Sequence, residues 1–188
     1  MAIETEKKYR LDKRLRVEFT ARLAELGARF SNERFEENFL YRHGAEDTSA
    51  RLRLRVIGQT AYLTYKEKIK SDSEFKTKIE HETMVSDEDA TRQIIEKLGY
   101  DLAVVYEKYR KTWHLGECEV VLDELPFGIY MEIEGEPEEI LKVEKMLGAN
   151  DVELESRGYA RLTIKLCEQV NGIFEARFDR RATARSKS

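Results

Sequence analysis

In the stretch "IETEKKYRL", residues 3–11, charged side chains fall at every second position: Glu4, Glu6 and Lys8. Successive side chains on a strand point to opposite faces, so these three share one face. The other face carries Ile3, Thr5, Lys7 and Tyr9 and is mixed. An ordinary half-buried strand turns a regular apolar set inward. Here the regular set is the charged one, and the pattern recurs along the chain. Arg51, Arg53 and Arg55 oppose Leu52, Leu54 and Val56, while Thr64, Lys66 and Lys68 share a face. Lys78, Glu80 and Glu82 lie opposite Ile79 and His81, and Lys108 pairs with Arg110. Glu132 and Glu134 oppose Met131 and Ile133, and Asp123 follows the apolar run "VVL".

A solvated sheet face explains any one such stripe. Together, however, the stripes are sorted by sign: acid on the first and last strands of the set, base on the middle ones. A face built for solubility mixes signs. Turned inward, the same charges need hydration, pairing or a counter-charged ligand. A closed sheet of about eight strands leaves a lumen for one small molecule. Arginine and lysine in number suit phosphate oxygens. Clustered carboxylates suit Mg²⁺ or Mn²⁺, hard cations that commonly bridge to phosphates. The residues therefore point to a tunnel that binds a metal and a polyphosphate together.

The order of elements agrees with such a sheet. Strands are expected near 3–11, 35–43, 50–57, 60–68, 75–85, 104–114, 117–124 and 128–134, giving an α+β fold built on a closed antiparallel eight-stranded barrel with flanking helices. Phe19, Leu23 and Leu26 mark a helix stopped at Gly27. Ser86 is placed as the N-cap of a second, with Ala90, Ile94 and Leu98 along one face. Pro137 opens a third, carrying Ile140, Leu141, Val143 and Leu147. A fourth is expected over 156–170. Nothing divides the 188 residues, so a single domain over 1–172 is expected, followed by a basic, unstructured tail over 173–188.

Net charge of −4 and a pI near 5.6 argue against a nucleic-acid binder acting through bulk charge. Cys118 and Cys167 lack metal-ligand spacing and read as free thiols of a reducing compartment. With no membrane-spanning run and no signal-peptide core, the expected location is cytoplasmic, with no membrane partner. No signal separates monomer from homodimer.

In order along the chain, Glu4-Thr5-Glu6-Lys7-Lys8, "RLRLR", "LTYK", "KIEHE", "KYRK", "VVLDEL" and "MEIEG" resemble the CYTH-domain, or triphosphate tunnel metalloenzyme, family. That family includes class IV adenylyl cyclases, thiamine triphosphatases and inorganic triphosphatases. The resemblance covers roughly residues 2–166. It implies that Glu4, Glu6, Glu132, Glu134 and Asp123 surround Mg²⁺ or Mn²⁺, with Glu80 and Glu82 as supporting acids. It implies that Lys8, Arg53, Arg55, Lys66, Lys78, Lys108 and Arg110 cradle the triphosphate, with Arg51 and Lys68 nearer the rims. The chain departs from the family pattern at Leu40-Tyr41-Arg42-His43 and at Ser156-Arg157-Gly158-Tyr159. It also lacks a His-Phe pair ahead of the acidic motif, a feature of some cyclases.

The expected activity is a metal-dependent hydrolysis of a small-molecule triphosphate by a metal-activated water. An adenylyl cyclase on the same tunnel, releasing cyclic AMP and pyrophosphate from ATP, is the first alternative. A non-catalytic polyphosphate-binding module is the second. The three histidines, His43, His81 and His114, read as structural or surface residues, with His114 alone sharing the parity of Lys108 and Arg110.

Overall fold

In two places the chain reverses on two residues led by a glycine, Gly58-Gln59 and Gly116-Glu117, and both glycines sit at φ +59°. Glycine enters this left-handed region without steric cost, and its twist suits a tight antiparallel hairpin. The computed structural model describes residues 2–44, 51–68 and 75–179. Its elements are β1 (Ala2–Leu11), α1 (Lys13–Glu25), β2 (Arg29–His43), β3 (Leu52–Ile57), β4 (Thr60–Lys68), β5 (Lys76–Val85), α2 (Glu88–Lys97), β6 (Tyr100–Leu115), β7 (Cys118–Leu125), β8 (Gly128–Glu134), α3 (Pro137–Leu147), α4 (Tyr159–Leu166), β9 (Gln169–Val170) and β10 (Ile173–Ala176).

The strands run β2-β3-β4-β5-β1-β8-β7-β6, and β6 pairs back onto β2 from Arg29↔His114 to His43↔Tyr100. All of these pairings are antiparallel, so the expected eight-stranded barrel closes on itself. Parity then decides the two faces. The odd positions of β1 and β6 and their partners on β7 and β8 turn outward and bury Tyr9, Trp113, Val120, Met131 and Ile133. Phe19 and Leu23 of α1, with Ile140, Val143 and Leu147 of α3, cover them. On the opposite wall Phe39, Tyr41, Leu54 and Val105 pack under Ile95 of α2. Tyr159 and Leu162 of α4 pack with Leu40, Val104, Tyr106 and Tyr130, inward-facing residues that fill one end of the barrel. Among the described residues no helix is long and apolar enough to cross a membrane.

Several boundaries differ from expectation, each for a local reason. Asp87, not Ser86, caps α2, its carboxylate accepting from the Ala90 amide at 2.8 Å. The buried face of α2 is not Ala90, Ile94 and Leu98; Ile94 and Leu98 are exposed. Arg92 takes that place, its guanidinium 3.6 Å over the Phe39 ring and donating to the Tyr41 hydroxyl. Cation–π contact substitutes for aliphatic burial there. Leu141 is likewise exposed, whereas Glu144 is buried on α3. The fourth helix is shorter than 156–170 and leaves Leu166 and Val170 exposed, because the chain turns back through Asn171-Gly172 into β10. β10 runs parallel to β6 over Val104–Tyr106, so the tail boundary expected at 173 falls inside structure. Residues 180–188 lie outside the described residues, as does most of the loop expected between β2 and β3.

A buried ion pair joins the barrel to its cover. Lys7 points outward from β1, and its ammonium donates to both Glu144 oxygens at 2.8 and 2.9 Å, both side chains being nearly inaccessible. Removing one partner strands the other charge, at a cost of about 3–5 kcal/mol. Lys7→Ala and Glu144→Ala are each expected to lower unfolding free energy by about that much in denaturant titrations, and Lys7→Met with Glu144→Leu to recover most of it. Equal stability of single and double variants would show that the pair does not set the seat of α3.

Candidate active site

The inward-facing positions of the barrel strands, even on β1, β4, β6 and β8 and odd on β3, line a cavity of about 780 Å³. Glu4, Glu6 and Lys8 of β1 line it, with Arg53 and Arg55 of β3 and Lys66 of β4. Lys78, Glu80 and Glu82 of β5, Lys108 and Arg110 of β6, and Glu132 and Glu134 of β8 complete the wall. Arg51 lines it as well; the Lys68 side chain lies outside the described ones. The sequence-expected residues are thus brought together, with one exception. Asp123 is on the inward face but fully buried beneath Arg110, Lys108 and Tyr159. Its oxygens accept from Arg110 Nε at 2.7 Å, Arg110 Nη2 at 2.5 Å, Lys108 Nζ at 3.2 Å and the Tyr159 hydroxyl at 2.8 Å.

The register explains how opposite charges meet. Lys8 faces Glu132 across the β1–β8 ladder, Arg110 faces Asp123 across β6–β7, and Lys66 faces Glu80 across β4–β5. Lys8 Nζ lies 2.9 Å from Glu132 Oε1 and 3.7 Å from the centre of the Tyr159 ring. Arg110 reaches Glu132 Oε2 at 2.6 Å, and Lys78 reaches Glu6 at 3.1 Å. Lys66 pairs with Glu80, while Arg55 holds Glu82 at 3.0 Å. Burial works against the Glu132 carboxylate, yet Lys8, Arg110 and Lys108 hold its pKa well below the ordinary range. Burial opposes the Glu80 carboxylate in the same way, and Lys66 and Arg53 bring it down to about 2.

The acid side is not fully balanced. Burial, a hydrogen bond to Glu80 and that group's charge push Glu4 up to about 7. Burial and then the charges of Glu4, Glu132, Glu119 and Glu6 push Glu134 up to about 7. Carboxylates raised by burial and by neighbouring acids mark a place with negative charge to spare, and an all-oxygen donor set suits a hard divalent cation. Among the described residues no three acids converge tightly enough to form a closed metal cage, Glu6 and Glu132 being turned to Lys78 and Lys8.

Some lumen residues were not anticipated. Arg34, Tyr106, Glu119 and Tyr159 also line the cavity. Glu36 is fully buried beside it, bonded to Arg34 at 2.7 Å and 3.4 Å from Lys108. Asn38 is fully buried too, and its amide has no hydrogen-bond partner among the described residues. The signal for these was available: Arg34, Glu36 and Asn38 extend β2's alternation, and Glu119 keeps the parity of Asp123. His114, with Arg29, lines a shallower cleft that shares Glu119 and Glu134 with the lumen. His43 packs edge-on against Tyr100, and His81 is half-exposed beside Glu67.

Glu36 makes the lumen's electrostatics measurable. Burial alone would raise its pKa, but Lys108, Arg110, Arg55 and the Arg34 bond hold it far below the ordinary range. A carboxylate depressed on folding contributes stability that is present above its unfolded pKa of about 4.3 and is lost as pH falls toward the folded value. Glu36→Gln is therefore expected to be less stable than the parent at pH 7, with the gap narrowing as pH drops from about 5 to 2. A gap constant with pH in thermal denaturation would remove Glu36 from the charge network.

Comparison with known proteins gives consistent results. The CYTH domain family model matches residues 2–159. A Methanocaldococcus jannaschii protein named "Putative adenylate cyclase MJ0240" is 29% identical over 150 residues, 77% of this chain and 83% of that protein. The PH1012 protein of Pyrococcus horikoshii superposes with a TM-score of 0.72 at 25% identity, covering 85% of this chain and 98% of that one. The fold is also that of a Hippeastrum protein named "Putative adenylyl cyclase HpAC1" and described as having a dominant triphosphatase activity, with a TM-score of 0.64 at 16% identity, covering 87% of this chain and 94% of that one. Cyclase and triphosphatase reactions alike consume a triphosphate. On the match over residues 2–159 and the closed, charge-lined barrel, the chain belongs to the CYTH-domain family.

Proposed function

We propose that this chain is a divalent-metal-dependent triphosphatase. The observation that carries the reading is the sorting of charge in one enclosed lumen: acids of β1 and β8 adjoin, and lysines and arginines of β3, β4, β5 and β6 face them. Glu4, Glu6, Glu132 and Glu134 would hold Mg²⁺ or Mn²⁺. Bound there, the cation supplies Lewis-acid stabilisation of phosphate oxygens and a more acidic water. Lys8, Arg53, Arg55, Lys66, Lys78, Lys108 and Arg110 grip the phosphate chain and offset the charge that develops on its oxygens during transfer. Asp123 acts in this reading as the anchor that fixes Lys108 and Arg110, since its own oxygens are engaged. Glu80 and Glu82 do the same for Lys66, Arg53 and Arg55. Water attack at the terminal phosphorus breaks its bond to the bridging oxygen and releases phosphate.

A cyclase reading is favoured by the name of the Methanocaldococcus relative. It uses the same grip, with the ribose 3′-hydroxyl attacking the α-phosphorus. Product analysis with Mg²⁺ or Mn²⁺ separates the two. Phosphate release without cyclic AMP is expected, and cyclic AMP with pyrophosphate from ATP would overturn the hydrolase. Glu4→Ala and Glu6→Ala are each expected to lower turnover by about 100-fold or more with the fold retained by circular dichroism. Normal turnover in both would dismiss the metal-site assignment. Polyphosphate binding by the parent chain without any turnover would leave the binding module.

A further inference from the structure

Lys8 is held at both its backbone and its ammonium by the segment that leads into α4. β5 pairs with β1 only as far as Glu6. Beyond it the same edge of β1 is taken up by that segment: the Arg10 amide donates to the Glu153 carbonyl at 2.8 Å, and the Glu155 amide donates to the Lys8 carbonyl at 2.8 Å. Lys8 Nζ in turn donates to the Arg157 carbonyl at 3.3 Å. The segment also braces itself. The buried Glu155 carboxylate accepts from the Arg157 amide at 2.9 Å and from Arg157 Nε at 2.7 Å. These bonds fix where α4 begins, and its first residue, Tyr159, lines the cavity.

Tyr159 meets the cations of the wall with both of its parts. An ammonium has three N–H donors. That of Lys8 lies 2.9 Å from Glu132 Oε1, 3.3 Å from the Arg157 carbonyl and 3.7 Å from the centre of the Tyr159 ring. A ring face attracts a cation without bringing a counter-charge, so it orients Lys8 and leaves its charge in place. The hydroxyl acts elsewhere: it donates to Asp123 Oδ2 at 2.8 Å, and the same carboxylate holds Lys108 at 3.2 Å and Arg110 Nε at 2.7 Å. One side chain thus touches Lys8 directly and reaches Lys108 and Arg110 through Asp123. Leu162, on the same face of α4, is as deeply buried in the same cluster but offers apolar contact alone. We propose that Tyr159 is a positioning residue, its ring and hydroxyl together setting the directions in which Lys8, Lys108 and Arg110 present their charge to phosphate oxygens. This inference rests on the triphosphate-consuming reading above.

The test compares the full parent chain with Tyr159→Phe, Tyr159→Leu and Leu162→Val. Three quantities are read: calorimetric binding of inorganic triphosphate without added metal, kcat/KM on inorganic triphosphate and ATP with Mg²⁺, and the unfolding temperature. Tyr159→Phe keeps the ring and loses only the hydroxyl, and is expected to weaken binding and kcat/KM by about 10-fold. Tyr159→Leu loses both parts and is expected to cost about 100-fold. Leu162→Val loosens the same helix, and is expected to lower the unfolding temperature while keeping binding and kcat/KM within about 2-fold. Should Tyr159→Leu fail to fold, Tyr159→Phe against Leu162→Val still decides. Binding and turnover of Tyr159→Phe equal to the parent's, or equal losses in Leu162→Val, would overturn the positioning role and leave the triphosphatase standing. A parent chain that neither binds nor consumes either triphosphate would remove the triphosphate reading and the positioning role with it.

Discussion

A charge on the inside of a closed sheet has little bulk water to fall back on, so it must be met by another charge or by a ligand. The rest of this structure follows from that constraint. Glu36, Lys108, Asp123, Arg110, Glu132 and Lys8 form a chain of alternating sign that runs across β2, β6, β7, β8 and β1. Each member is fixed by its neighbours before any substrate arrives. Such preorganisation is worth more than the same charges in water, because nothing must reorient when charge develops beside them. Outside this chain stand Glu4 and Glu134, whose pKa values burial and neighbouring carboxylates push up to about 7. The imbalance is local, and it lies where a divalent cation would cancel it.

The outer wall answers a different demand. Apolar residues on the outward parity would be exposed on a bare barrel, and α1, α2 and α3 cover them. Apolar contact alone leaves a helix free to slide along a sheet, and two polar devices restrict it. Lys7 and Glu144 tie α3 to β1, and Arg92 laid on Phe39 ties α2 to β2. α4 differs from the other three. It closes one end of the barrel, and its Tyr159 links that closure to Asp123 and Lys8.

Much of the lumen was legible in the sequence because parity is a property of the backbone alone. Once a segment is a strand, Glu4 and Glu6 must share a face whatever lies beyond them. Arg34 escaped notice for a related reason: reading β2 from residue 35 left it outside the strand, and Glu36 inside it was not matched to the inward stripes of the other strands. The functional role read for Asp123 was less secure, because parity places it inward without revealing that its oxygens are consumed by Arg110, Lys108 and Tyr159. α2 misled because its buried face is built on an arginine. β10 escaped because its pairing with β6 is parallel and tertiary, and nothing in four residues announces a partner seventy positions away.

The place of β1 has a consequence for how the molecule is made. It is the first strand in the chain, yet it sits between β5 and β8 and cannot be seated until both have formed. Non-local closure of this kind is slow, and a waiting strand with two unpaired edges is prone to pair with another chain. The alternating glutamates and lysine that face the lumen are also charges of the kind that discourage such pairing. The residues that equip the lumen thus serve the nascent chain first, as protection against aggregation.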